Sequence, residues 1–352
     1  MSQFNEDNTV EQLFIDTLKK NGWKYVPAEE LPRDMTDVIV EPMVKDALIR
    51  LNPEIAADPS RADEVIYKLR AMLQPFPSDN LVAQNEAFKK KLFEENSYPF
   101  GEDGRPTSIS FFGTMTKEEL AKNEYVVTNQ WVYPSVENGK RLDIVLLING
   151  FPVAIGELKT PVRNAISWLD GAQDIADYEK SIPEMFVPNV LNFASEGKCY
   201  RYGSVNMPLT KWGPWHTPDH KAEGSLADVR ISIADMLTPE KVMDIMQFFT
   251  LFSTDKKHRK IKIICRYQQY EAANLIVERV KENKIKQGLI WHFQGSGKSL
   301  LMVFAAQKLR MIPELQNPTV VIIDDRIDLE TQITGDFNAA DIPNLQSLGT
   351  KE

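Results

Sequence analysis

The sequence predicts an α/β fold in two successive units, and three observations carry the prediction. Helical and strand-type hydrophobic patterns interleave along the first 255 residues instead of segregating. From about residue 256 the order becomes helix, strand, glycine-rich turn, helix, strand, which is how a parallel layer begins. The length of 352 residues lets each unit, 1–255 and 256–352, bury a core of its own.

The elements follow in order. Leu13, Phe14 and Leu18 fall at helical spacing and predict a helix over Val10–Asn21, stopped by Asn21-Gly22. Further helices are predicted over Asp37–Leu51, ended by Asn52-Pro53, and over Arg61–Leu73 and Leu81–Phe93, before a polar loop at "NSYPFGEDGRPTS". Strands are predicted at Tyr125–Tyr133, Leu142–Ile148 and Pro152–Leu158, the last two joined by Asn149-Gly150, the strongest short hairpin signal in the chain. Thr160 as N-cap and Pro161 at the first helical position predict a helix from Pro161 to Glu179. Asn189–Ala194 and Cys199–Ser204 read as a strand pair turning at Glu196-Gly197, so the sheet should be mixed or largely antiparallel. A helix over Met236–Phe252 and a basic, solvated linker "STDKKHRKIK" close the first unit. The second unit reads as helix Gln268–Glu282, strand Gly288–Phe293, helix Lys298–Arg310, strand Thr319–Ile323 and a helix near Ile327–Ile333. Two core strands are too few for a complete doubly wound sheet.

Composition sets bounds on function. A hydrophobic share of 43% and a charged share of 26% are those of a soluble globular chain. No apolar run reaches the roughly 18 residues that span a bilayer, and the polar N-terminus is no secretion signal, so a cytoplasmic protein is expected. Cys199 and Cys265 stand apart without metal-ligand spacing, in keeping with a reducing compartment. The net charge of −9 opposes a surface that coats nucleic acid throughout, but a local groove served by divalent metal remains compatible with it.

Gly295-Ser296-Gly297-Lys298-Ser299 lies between an apolar run and an amphipathic helix. This is the setting of a phosphate loop: glycines let backbone N–H groups wrap phosphates, the lysine reaches the outer phosphates and the serine hydroxyl helps hold Mg²⁺. His292 stands where the usual pattern has glycine. Asp324-Asp325 could be a Mg²⁺-coordinating pair at a strand end, but "DDRIDLETQ" runs straight into a helix, which favours a structural or nucleic-acid-facing motif.

A second constellation ends the hairpin. Antiparallel pairing of its strands brings Asp143 to Glu157, and Lys159, two residues on, shares the face of Glu157. Two carboxylates can hold Mg²⁺ through hard oxygens, and the lysine can position or deprotonate a water, or stabilise a crowded phosphate. Such a set would hydrolyse phosphodiesters, although a Glu–Lys pair on a half-exposed strand leaves the same pattern.

Together these residues resemble the restriction (R) subunit of type I restriction-modification enzymes. "RLDIVLLINGFPVAIGELKTP" is similar to that family's PD-(D/E)xK core, with Asp143, Glu157 and Lys159 at the matching positions. Gln173 and Tyr178 in "GAQDIADYEK" resemble its glutamine–tyrosine motif of the RecB-like branch, although five residues put them about 140° apart on a helix. Gln269 resembles the adenine-reading glutamine of superfamily 2 helicases, "HFQGSGKS" their first motif and "DDRIDLETQ" the next, and Glu11 lies where related nucleases carry an extra acid. The resemblance implies a RecB-like nuclease domain followed by the opening of a RecA-like motor domain. It implies Mg²⁺ and ATP as cofactors, and double-stranded DNA and the methylation (M) and specificity (S) subunits as partners. The family's Asp-Glu-x-His box and second motor domain have no counterpart here, so the chain looks like an N-terminal fragment without competent ATPase activity. A DNA-repair nuclease-helicase, or an inert assembly domain beside an NTPase, are the alternatives.

Overall fold

The computed structural model describes residues 9–135, 139–160, 165–255 and 257–323. The chain forms two compact units, Met1–Met243 and Asp244–Glu352.

The first unit opens with α1 (Thr9–Lys20), which buries Leu13, Phe14 and Leu18 as their spacing requires, and turns at Gly22 into the short strand β1 (Lys24–Tyr25). Helices α2 (Glu41–Leu51), α3 (Pro53–Ala57), α4 (Ser60–Met72) and α5 (Leu81–Phe93) follow. Asn52-Pro53 ends α2 as expected, but Pro53 also starts α3, whose five residues are too few for a periodic signal. The polar loop carries a small hairpin, β2 (Ser97–Tyr98) with β3 (Thr107–Ser108), and a short α6 (Lys117–Leu120) capped by Thr116 comes before the main sheet.

That sheet consists of β4 (Tyr125–Tyr133), β5 (Lys140–Ile148), β6 (Phe151–Leu158), β7 (Leu191–Ser195) and β8 (Tyr200–Gly203), with β1 on its edge in the order β1-β4-β5-β6-β7-β8. Pairings β4–β5, β5–β6 and β7–β8 are antiparallel, whereas β1–β4 and β6–β7 are parallel. The fold class is therefore mixed α/β. Asn149 and Gly150 both adopt positive φ, +51° and +84°, which the tight β5–β6 turn needs.

Between β6 and β7 runs α7 (Trp168–Ser181). It starts later than the sequence predicts, because Ser167 and Asp170 form a reciprocal capping box that satisfies the first N–H groups. Thr160 is thus not its N-cap, and Pro161 lies outside the described residues. The core on one side of the sheet centres on Phe193, whose ring stacks on Phe14 at 5.5 Å and leans on Tyr200 at 5.9 Å.

The expected helix over Met236–Phe252 is three elements: α8 (Leu226–Met236), α9 (Pro239–Phe248) and β9 (Thr250–Thr254). Thr250, Leu251 and Phe252 are strand formers with a partner available in β10 (Lys260–Ile264), so the basic run begins in β9 at Ser253 and Thr254 and ends in β10 at residues 260–262 rather than forming a solvated linker. The expected domain division after residue 255 falls between these two strands. Helices α10 (Tyr267–Glu282) and α11 (Lys298–Arg310) complete the second unit. The strands expected at Gly288–Phe293 and Thr319–Ile323 do not form: Trp291 is 88% and Ile323 91% exposed. A parallel strand takes every ladder bond from neighbours, and the described residues offer these segments none.

No helix among the described residues is long and apolar enough to cross a membrane, and Cys199 and Cys265 form no disulfide.

Candidate active site and phosphate loop

The register of β5 and β6 decides which side chains meet. Ile144 pairs with Gly156, so Asp143 and Glu157 face each other on the same side of the sheet. Asp143 is fixed by two donors: the Leu158 N–H reaches its Oδ2 at 2.9 Å, and the Gln130 amide its Oδ1 at 3.4 Å. Glu157 is 2% exposed, with its carboxyl within hydrogen-bonding reach of Asp143. Burial first, and then the negative charge of Asp143, push the Glu157 carboxyl well above the usual carboxylate range. A carboxyl pair of buried Glu157 and half-buried Asp143, whose negative charges disfavour one another and whose oxygens are hard ligands, fits a divalent cation of the Mg²⁺ type. Among the described residues no set of three or more His, Cys, Asp or Glu side chains is grouped to hold a metal ion.

Lys159 stands beside the pair, its Nζ 3.9 Å from Glu157 Oε2 and in direct contact with Asp174 Oδ2. Desolvation works against its charge, but Asp174, Glu157 and Asp143 together hold the ammonium above its ordinary range. Tyr178 lies beside Glu157, and burial followed by the negative charge of Glu157 and the neighbouring carboxylates raises its hydroxyl. The site thus unites Asp143, Glu157, Lys159 and Tyr178. Gln173 it does not unite: exposed on α7, Gln173 donates to Asp177 at 3.3 Å, as the 140° offset from Tyr178 requires.

Three features escape sequence reading. Asp174 lies one turn before Tyr178 on the same helix face, a spacing that could have signalled it. Gly171, one turn earlier again, lets α7 approach: a Cβ there would meet Glu157 O at 3.1 Å and Glu157 Cβ at 3.3 Å. Gln130 adopts φ +55° in the middle of β4 and links Asp143 to Glu11 Oε2 at 3.0 Å, while Asn129 also donates to Glu11. Glu11 therefore supports Asp143 through Gln130.

In the second unit Gly295 and Gly297 both have φ +80°, and Gly297 caps α11 without a side-chain acceptor. The N–H groups of the first turn, which includes Lys298 and Ser299, are left for an anion. The Ser296 hydroxyl is buried without a partner among the described residues, which also fits a bound polar group. Lys298 Nζ donates to the carbonyls of His292 (3.2 Å) and Phe293 (3.0 Å). Gln269 Nε2 donates to the carbonyls of Gly297 at 2.9 Å and Ser296 at 3.3 Å, which braces the loop, while its Oε1 accepts from the Arg266 N–H at 2.8 Å at the start of α10. Asp324-Asp325 and the motif they begin lie outside the described residues.

Comparison with known proteins bears on both units. A family model described as type I restriction enzyme R protein N terminus matches residues 3–211, and one described as SWI2/SNF2 ATPase matches residues 268–352. The type I restriction enzyme HindI endonuclease subunit of Haemophilus influenzae is 30% identical over 353 residues, 95% of this chain and 33% of that protein. Two Methanocaldococcus jannaschii proteins, provisionally named type I restriction enzyme MjaIXP and MjaVIIIP endonuclease subunits, are 26% and 27% identical over 96% of this chain, and 34% and 32% of their own lengths. The chain spans about a third of the length of these relatives.

Proposed function

Because the chain belongs to the type I restriction enzyme R protein N-terminal family, we propose that its first unit is a Mg²⁺-dependent endonuclease of PD-(D/E)xK type that cuts double-stranded DNA. The second unit, on the same proposal, begins a RecA-like, ATP-binding motor of superfamily 2. The observation that carries the reading is the meeting of Asp143, Glu157 and Lys159 at one end of β5 and β6. Asp143 and Glu157 would hold Mg²⁺. When bound, the ion would supply charge neutralisation at the phosphate and a more acidic water. Lys159 would orient that water or stabilise charge on the phosphate, and Tyr178 would fix the Glu157 carboxylate. In the loop, Gly295, Ser296 and Gly297 would cradle ATP phosphates with Lys298 and Ser299, while Gln269 braces the loop and would turn to adenine only by giving up those bonds.

In the whole enzyme, the proposal continues, ATP drives DNA past a cytoplasmic complex with M and S subunits. This chain alone is expected to bind metal and nick DNA weakly without coupling ATP hydrolysis to movement. The test compares Mg²⁺-dependent cleavage by the assembled complex carrying Glu157→Ala or Lys159→Ala with the unaltered one. A loss of at least about a hundredfold is expected; undiminished cleavage would make the first unit an assembly domain. Robust DNA-stimulated ATPase by the 352-residue chain would overturn the expectation for the second.

A further inference from the structure

Lys159 poses a problem for any cation site at Asp143 and Glu157. Its ammonium is carried on a flexible four-carbon stem, two residues from Glu157 and on the same face, and could fold onto the carboxylate pair. A lysine seated there would compete with a divalent ion for the same oxygens.

Two contacts hold it elsewhere. The Lys159 N–H donates to Ser195 O at 2.8 Å, so its backbone continues the β6–β7 ladder and fixes where the side chain starts. The ammonium meets Asp174 directly while staying 3.9 Å from Glu157 Oε2. Asp174 comes from a face of α7 set by its neighbours: Gly171 rests against Glu157, and Tyr178 lies beside the same residue. The spacing 171, 174, 178 follows one helix face, so whatever seats Gly171 and Tyr178 also delivers Asp174. The charge count follows. Asp174 neutralises Lys159, leaving the negative charge of Asp143 and Glu157 for a second cation.

We propose that Asp174 is a positioning residue that draws the Lys159 ammonium off the Asp143–Glu157 pair, keeping the pair open to a divalent cation with the lysine still beside it. The inference rests on the metal-site reading above.

The test measures Mn²⁺ affinity of the 352-residue chain by electron paramagnetic resonance of the free ion, Mn²⁺ standing in for Mg²⁺ at oxygen ligands. Asp174→Asn is expected to weaken binding about tenfold with Lys159 present and less than about threefold in a Lys159→Met background, a coupling a double-mutant cycle isolates. Asp174→Glu should restore most of the affinity, and thermal melts check that each variant is folded. Equal losses in both backgrounds would reduce Asp174 to one more nearby negative charge and overturn the proposal, as would no loss in either. If Asp143→Asn leaves Mn²⁺ binding untouched, the metal-site reading itself falls and takes this inference with it. Binding that depends on Asp143 but ignores Asp174→Asn removes this inference alone.

Discussion

Gly156 tests how tightly the strand that carries Glu157 is built. A Cβ placed there would lie 1.9 Å from Phe193 Cε2, 2.3 Å from Cζ and 2.6 Å from Cδ2. Ordinary carbon contacts are about 3.5–4.0 Å, so the ring would have to retreat by more than an ångström. It has no path. The ring stacks on Phe14, with the planes 6° apart, and lies tilted against Tyr200, and all three rings are buried. The alternative is to part β6 from β7, which breaks parallel ladder bonds from Ala154 to Leu158. Overpacking usually costs about 1–3 kcal/mol, and with both reliefs blocked Gly156→Ala should lie at the upper end, about 3 kcal/mol. For a unit of this size that lowers the melting temperature by about 6–12 °C, read by near-ultraviolet circular dichroism. Adding Phe193→Leu, which removes the ring atoms the Cβ meets, should recover part of the loss. A single variant that melts within about 2 °C of the parent would refute the packing argument, and so would a double variant less stable than the single.

Three further predictions concern the sites. Burial and Asp143 raise the Glu157 carboxyl, so the folded chain holds that proton more tightly than the unfolded one, and the resulting stability is lost as pH rises through the elevated folded value. Glu157→Gln should therefore stabilise the metal-free protein at pH 7, by on the order of 1 kcal/mol, with the gain shrinking towards pH 4; paired melts showing the parent more stable at pH 7 would refute it. Gly297→Ala puts a side chain at φ +80° and 2.3 Å from Gln269 Nε2, so the brace on the loop must give way; fluorescent ATP analogue affinity should fall at least about tenfold, several tenths of it from backbone strain of about 1 kcal/mol, and unchanged affinity would count against the loop geometry. Tyr178→Phe removes the hydroxyl that lies beside Glu157, a group able to contribute about 1 kcal/mol through a hydrogen bond, and should lower kcat about fivefold in the assembled complex with little change in KM; a pure KM effect would reassign Tyr178 to DNA contact.

What was legible in the sequence was local. The bounds of α5, β4 and α11 follow from hydrophobic period and flanking breakers, and the Asn149-Gly150 turn follows from its demand for two positive φ angles. Asp143 meeting Glu157 needed more than that turn: pairing carried on from Ile148 with Phe151 would set Asp143 opposite Gly156, and the bulge between Leu146 and Leu147, which moves the register by one residue, brings Glu157 onto its face. Asp174 could not be read so simply, because its role depends on how closely α7 approaches β6, a distance set by the missing side chain of Gly171. Gln130 was hidden for another reason: its left-handed backbone, φ +55° within a strand, departs from the periodicity by which strands are read. The apolar segments 288–293 and 319–323 mislead in the opposite sense. Their composition reports a preference for burial, but a strand exists only when neighbours complete its hydrogen bonds.

The two sites differ in what holds them. Every side chain around the carboxylate pair, from Glu11 through Gln130, Asp143 and Glu157 to Asp174 and Tyr178, belongs to the first unit and is fixed by contacts inside it. In the candidate phosphate loop Lys298 has weaker, exchangeable partners, two neutral carbonyls that a phosphate oxygen would displace with the advantage of full charge. Nucleotide arrival would therefore rearrange Lys298 without having to build any part of the carboxylate site. On the proposed reading, ATP controls cutting by governing which DNA reaches Asp143 and Glu157. Assembly of the chemistry itself is left to β5, β6 and α7.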